Sequence, residues 1–222
     1  MLELGVKFLL SYFVGSFLGS MIVGRLRGGV DIRTMGSGNA GGTNALRTQG
    51  WVFALGVMVI DVGKGALAAG LIPALELPLI GTDPAVSRQW LAYACAAGAV
   101  LGHVWPMWHH FRGGKGAATL IGTLTVLAPS LILPVLFVWA WALVLSGFVG
   151  LSTMIAGLAA PLWVAITGGP EERPLLVYTT GVALFLLYTH RSNIRRMLDG
   201  TESRNRSLML FGRARRQTLD DD

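Results

Sequence analysis

Three segments of this chain carry residue types that bind phosphate or move a proton, and each lies beside an apolar run. The first, MGSGNAGGTNALRTQG at 35–50, places Gly36, Gly38, Gly41 and Gly42 among Ser37, Asn39, Thr43 and Asn44. Glycines let the backbone approach a ligand closely and turn N–H groups inward, and the short polar side chains add donors. Arg47 then supplies a planar, permanently charged fork suited to phosphate. The segment lacks the Lys-Ser/Thr ending of a nucleotide-binding loop, and a turn-rich connector has much the same composition.

The second segment is FRGGKGAATL at 111–120, where Gly113, Gly114 and Gly116 surround Lys115 and a helix is predicted to follow. Free backbone donors, a positive dipole end and a mobile ammonium make such a lysine an anion site. Its alternative is a basic membrane anchor with glycines as a helix cap. The third segment, YTHRSNIRRMLDGTESR at 188–204, follows an apolar run. On a continuing helix His190 and Asn193 face one way while Arg191 and Arg195 face lipid headgroups. Histidine transfers protons near neutral pH, although a histidine beside a membrane also serves as a headgroup contact.

The elements that must position these segments are membrane spans. Of 222 residues, 53% are apolar and 14% charged, and the mean hydropathy is +0.58, which excludes an ordinary soluble domain. Gly5 to Gly24 is predicted as a retained first helix, because it ends at Arg25 and Arg27 without a small-residue cleavage site. Further spans are expected at Trp51 to Pro73, Trp90 to Trp108, Ala117 to Gly150, Ser152 to Thr167 and Leu175 to Tyr188. The fourth run is too long for one helix, and Pro129 and Pro134 divide it into two short spans. The fold class is thus an all-α integral membrane protein with about seven transmembrane helices; a tilted fourth span would give six.

Charge then orients the chain. With the N-terminus outside, the inner segments hold fourteen Arg and Lys residues, including eight arginines from Arg191 onward, against Arg88 and Arg173 outside. The C-terminus is expected to be cytoplasmic and all three polar segments to share the cytoplasmic face. Residues 1–203 read as one membrane domain and 204–222 as a basic cytoplasmic tail. No soluble basic domain exists for nucleic acid, and the loops offer no carboxylate cluster for a metal. Cys95 stands alone in an apolar run and reads as a buried core residue. Asp61 and Lys64, three apart in the second span, are either a structural ion pair or part of the site lining.

GSGNAGGTNALR, GHVWPMWHHFRGGKGAAT and THRSNIRRMLDGTES, in that order between apolar runs, resemble the three motifs of the bacterial acyl-phosphate:glycerol-3-phosphate acyltransferase family. The resemblance runs from Gly15 to Ser203 and takes in DVGKG at 61–65 and GLST at 150–153. It implies a multi-pass enzyme of the bacterial inner membrane that acylates the 1-hydroxyl of glycerol 3-phosphate from acyl phosphate. The products are 1-acylglycerol 3-phosphate and phosphate, at the first step of phospholipid synthesis, with no cofactor. By position it implies functional roles for Ser37, Arg47, Lys115, His190 and Asn193, with His103 near the inner end of the third span. Gly42 departs from the family's usual alanine and Gly150 from its usual serine. Both substrates are phosphates, so Arg47 and Lys115 are expected to clamp them while Ser37 and Asn193 orient the glycerol. An acyl phosphate is already activated and needs no covalent serine intermediate. His190 either removes the hydroxyl proton or ligates phosphate, a substrate oxygen then taking the proton. The competing class is a small transporter or flippase for an organic phosphate or lipid, suited by the intramembrane charges but lacking a visible inverted repeat.

Overall fold

A computed structural model describes residues 1–210, and their regular secondary structure is helical throughout. Two compact units divide at Pro129. The first holds α1 (Leu2–Gly15), α2 (Gly19–Leu26), α3 (Gly42–Gln49), α4 (Trp51–Ala74), α5 (Arg88–Val104) and α6 (Ala117–Leu127). In it α1 lies along α5 and α4 along α6, while α4 also meets α1, α2, α3 and α5.

Glycines make these helix contacts close. Gly98 and Gly102, one turn apart on α5, lie against the Phe8 and Tyr12 carbonyls of α1; a Cβ at Gly98 would stand 2.7 Å from the former. Gly65 of α4 and Gly122 of α6 meet the Thr119 and Val62 carbonyls in the same way. Lipid is as apolar as leucine, so helices in it gain little from burying apolar surface. Small residues let backbones approach and gain dispersion instead.

The first apolar run is broken. Its two helices, α1 and α2, meet at a 41° bend across residues 16–18. A break leaves backbone groups without intrahelical partners, and in an apolar setting each needs another. Asp61 and Lys64 of α4 supply them. The Gly19 N–H donates to Asp61 Oδ1 at 3.0 Å, and Lys64 Nζ donates to the Phe17 carbonyl at 2.9 Å. The two charges pair at 2.8 Å, and Lys64 Nζ lies 2.8 Å from His103 Nδ1 of α5. All three side chains are buried. The ion pair of the first reading of Asp61 and Lys64 is present in this geometry.

A second network, buried at Glu3 and Lys7, closes the other end of α1. Lys7 Nζ lies 2.8 Å from Glu3 Oε1 and donates to the Pro73 carbonyl at 2.8 Å, while Arg88 pairs with Glu3 at 2.5 Å. The amino terminus pairs with Asp83. Lys7 falls inside the run taken from the sequence as a plain first span.

The second unit holds α7 (Ile132–Ser146), α8 (Val149–Thr167), α9 (Arg173–Thr189) and α10 (Arg191–Leu198). Within it α7 packs on α8, α8 on α9, and α10 touches both α8 and α9. Residues 204–210 fold back over the α7–α8 turn. Arg204 Nε donates to the Ser146 carbonyl at 2.9 Å, and the Asn205 and Leu210 amides donate to Gly147 and Val144 carbonyls. The beginning of the segment read as a tail therefore packs on the protein. Its remainder, from 211, lies outside the described residues.

Three helical stretches, α4, Pro129–Ser146 and α8, are long and apolar enough to cross a membrane, and the bent α1–α2 pair makes a fourth. The remaining helices expected as spans, α5, α6 and α9, have 17, 11 and 17 residues. Two boundaries differ from the sequence reading. The third expected span, Trp90 to Trp108, stops at Val104 because Pro106 disfavours helical backbone before it. The fourth run divides across 128–131, with α6 ending at Leu127 and α7 starting at Ile132; Pro134 sits in the first turn of α7, where its missing N–H costs no helical bond.

Lys64→Met leaves the Asp61 carboxylate buried without its cation and should cost about 3–5 kcal/mol. Thermal unfolding of the detergent-purified protein reads this loss. The double variant Asp61→Asn/Lys64→Met should recover part of it. Wild-type stability in Lys64→Met contradicts the capping role.

Candidate active site

Asn44 builds the first loop. Its side chain is buried, and Nδ2 donates to the carbonyls of Ile32 (2.8 Å), Met35 (3.1 Å) and Asn39 (3.0 Å), while Oδ1 accepts the Ser37 N–H at 3.0 Å. One amide thus folds residues 32–39 around itself, aided by left-handed Gly36 and Gly38 at φ +55° and +70°. Asn39 is half-buried, and Ser37 and Gly38 are exposed. Gly41 precedes α3, Gly42 opens it, and Thr43 and Arg47 lie one turn apart, exposed, along it. Among the described residues the Arg47 side chain has no ion pair or hydrogen bond. A Cβ at Gly42 would stand 2.7 Å from Met58 Sδ, so Met58 fills the space a side chain here would take.

The second loop hangs from the end of α5. The Gly113 and Gly114 amides donate to the Val104 and His103 carbonyls at 3.2 and 3.1 Å. Gly114 lies directly against the His103 ring, and Gly116, at φ +89°, caps α6. Lys115, between them, is half-buried. Ahead of the glycines His110 and Phe111 hold left-handed backbone at φ 54° and 57°, a strained pair for residues with side chains.

Arg33 joins the two loops. Its guanidinium pairs with Asp31 at 2.8 Å, and its Nη1 donates to the carbonyls of Arg112 (3.2 Å) and His109 (3.4 Å). The pairing holds the Asp31 carboxyl below the usual carboxylate range. Because that folded-state pKa is depressed, the stabilisation is present at neutral pH and is lost as the pH falls through it. Burial, and then the Arg33 charge, push His109 below the usual histidine value, so its ring is neutral at pH 7. The sequence reading took Arg33 only as a topology signal and gave Asp31 no role.

In the second unit the expected continuous helix through the third motif is interrupted. The helix α9 ends at Thr189, and His190 caps α10 with φ −94° and ψ 7°. His190 Nδ1 donates to the Leu186 carbonyl at 2.8 Å, which places the lone pair of the neutral ring on Nε2. Asn193 donates its amide N–H to the His190 carbonyl at 2.8 Å and its Nδ2 to Glu202 at 2.8 Å. Glu202 also pairs with Arg196 at 2.6 Å. His190 and Asn193 are buried, whereas Arg191 and Arg195 are exposed. A Cβ at Gly150 would stand 2.7 Å from Asn193 Nδ2, so the glycine makes room for Asn193. Sequence reasoning passed over Glu202, whose only signal was a carboxylate closing an arginine-rich segment. Among the described residues no three His, Cys, Asp or Glu side chains gather as a metal requires.

The helices and their long apolar stretches define a membrane-embedded, all-helical class of protein. The chain belongs to the glycerol-3-phosphate acyltransferase family, whose profile matches residues 6–200. It is 37% identical over 228 residues to the Pelodictyon phaeoclathratiforme glycerol-3-phosphate acyltransferase, covering 92% of this chain and 97% of the relative. To the Salinibacter ruber enzyme of the same name it is 40% identical over 215 residues, covering 91% and 93%. Two crystal structures of PlsY (YgiH), an integral membrane glycerol 3-phosphate acyltransferase, superpose with TM-scores of 0.76 and 0.74 at 30% and 29% identity. Each comparison covers 90% of this chain and 94% of that one. One is the glycerol 3-phosphate form and the other the lysophosphatidic acid form. The chain is thus an integral membrane protein and a glycerol-3-phosphate acyltransferase.

Asn44→Ala removes the acceptor of the Ser37 N–H. Hydrogen exchange at that amide should accelerate by roughly 2- to 10-fold, the equivalent of one ordinary hydrogen bond. Unchanged exchange at Ser37 contradicts a loop organised by Asn44.

Proposed function

We propose that the acyl donor is an acyl phosphate and that transfer to glycerol 3-phosphate is direct. The 1-hydroxyl oxygen attacks the acyl carbon, the bond from that carbon to the phosphate oxygen breaks, and phosphate leaves with the electron pair. The hydroxyl proton passes to His190 Nε2. The new ester is 1-acylglycerol 3-phosphate, lysophosphatidic acid.

In this reading Arg47 and Lys115 neutralise substrate phosphate. Ser37 and Asn193 orient the glycerol, and Gly38, Gly113, Gly114 and Gly116 let the loop backbone approach the substrate phosphate closely, with Asn39 and Thr43 at the loop's edge. Asn44, Asp61, Lys64 and His103 hold the loops. The observation that carries the reading is Arg47, an exposed arginine one turn beyond a folded glycine loop, whose guanidinium has no protein partner among the described residues. A permanent cation left in this state is available to an anion.

The reading extends to topology. Seven spans, α1 with α2, then α4 to α9 singly, put the N-terminus outside and the C-terminus in the cytoplasm of a bacterial inner membrane, with the active site on the cytoplasmic face. The asymmetry of basic residues supports it.

Purified protein should release phosphate from acyl phosphate only when glycerol 3-phosphate is added. Turnover with acyl-CoA in place of acyl phosphate would overturn the donor assignment. For topology, cysteines at Ser37 and Thr201 in a Cys95→Ala background should be shielded from an impermeant thiol reagent on intact cells, and one at Thr82 should react. Labelling of Thr201→Cys from outside reverses the orientation.

A further inference from the structure

Through the Arg33 side chain the first loop touches the second. Three of its contacts return to its own loop, to Asp31, at 3.0, 3.2 and 2.8 Å, and two cross to the Arg112 and His109 carbonyls. The Asp31 carboxylate also accepts the Arg33 backbone N–H at 2.9 Å, so the side chain is held at both its root and its head. The pair is only partly exposed, at 21% and 30% of side-chain surface, and so is less screened than an ordinary surface ion pair. The crossing contacts land on the strained turn that runs directly into Gly113, Gly114 and Lys115. On the other side Asn44 binds the Ile32 carbonyl, next to Arg33, and its helix carries Arg47.

We propose that Arg33 is a positioning residue for the acyl-transfer reaction: it locks the backbone that carries Ser37 and Arg47 at a fixed separation from the backbone that carries Lys115. The lock matters because two cations on separate glycine-rich loops bind one set of phosphates well only if their spacing is set before the ligand arrives. Otherwise each binding event must also order the loops. Glycine-rich backbone loses the most freedom on ordering, so this chain needs such a brace more than a helical site does. A guanidinium suits the task because its five donors lie in one rigid plane, which lets it engage a carboxylate on one edge and two carbonyls on another. The inference rests on the phosphate-binding reading of Arg47 and Lys115.

Steady-state kinetics of Arg33→Ala and Arg33→Lys, beside Arg47→Ala and Lys115→Ala, test it. Arg33→Ala should raise KM for glycerol 3-phosphate about 10- to 100-fold, the equivalent of a lost charged hydrogen bond, with kcat within about threefold of wild type and little change in thermal unfolding. Arg33→Lys keeps the charge but not the fork and should fall between the two. A purely structural role predicts instead that kcat and thermal stability fall together while KM holds, and that result overturns the proposal. Wild-type KM in Arg33→Ala overturns it too, and if Arg47→Ala and Lys115→Ala still raise KM the phosphate reading survives. Should neither of those two change KM, the phosphate reading fails and the lock fails with it.

Discussion

A helix broken inside a membrane exposes backbone groups that lipid cannot satisfy, and the first unit of this enzyme is organised around one such break. The Asp61–Lys64 pair meets it with opposite charges, the carboxylate at the starting amide of α2 and the ammonium at the Phe17 carbonyl. Isolated, either charge would be costly in this setting; adjacent, and each bonded to a backbone dipole, they offset one another. The same ammonium reaches His103, and the carbonyls of His103 and Val104 are where the second glycine loop is attached. The intramembrane charges therefore sit beneath the second glycine loop. They fix the end of α5 from which the Lys115 loop starts.

The two glycine loops of that unit are held by different means. Asn44 holds the first from inside, using its amide on loop carbonyls so that Arg47 is left outward. The second is suspended from α5 by backbone bonds and pressed against the His103 ring at a glycine where no other residue fits. Glycine serves two ends here. In the loops it supplies left-handed backbone; in the α1–α5 and α4–α6 seams it removes the side chain so that helices approach to carbonyl distance.

In the second unit a helix is also interrupted, at His190, between α9 and α10. The Leu186 carbonyl at the end of α9 takes the Nδ1 hydrogen, so the tautomer of His190 follows from the helix that precedes it. Asn193 lies in the space that Gly150 leaves and is tied to Glu202, which Arg196 holds in turn. At Gly42 and Gly150 a neighbouring side chain, Met58 or Asn193, occupies the volume a Cβ would take.

The sequence by itself determined the helical membrane class, the three polar segments and the acyltransferase family. Runs of apolar residues and the order of Gly, Arg, Lys and His are properties of the chain before it folds. It also divided the fourth run near Pro129 to Pro134 and set Arg191 and Arg195 apart from His190 and Asn193, although the continuous helix assumed there is interrupted at His190. Only the tertiary structure decided what Asn44, Arg33, Glu202, Lys7 and Asp61 do. Asn44 reads in sequence like one more loop donor, yet its partners are carbonyls up to twelve residues away. Arg33 reads like a topology charge, yet its partners lie 76 and 79 residues on. The reason is physical: periodicity and composition report which groups are polar, whereas a hydrogen bond is settled by which unsatisfied group the fold brings within about 3 Å.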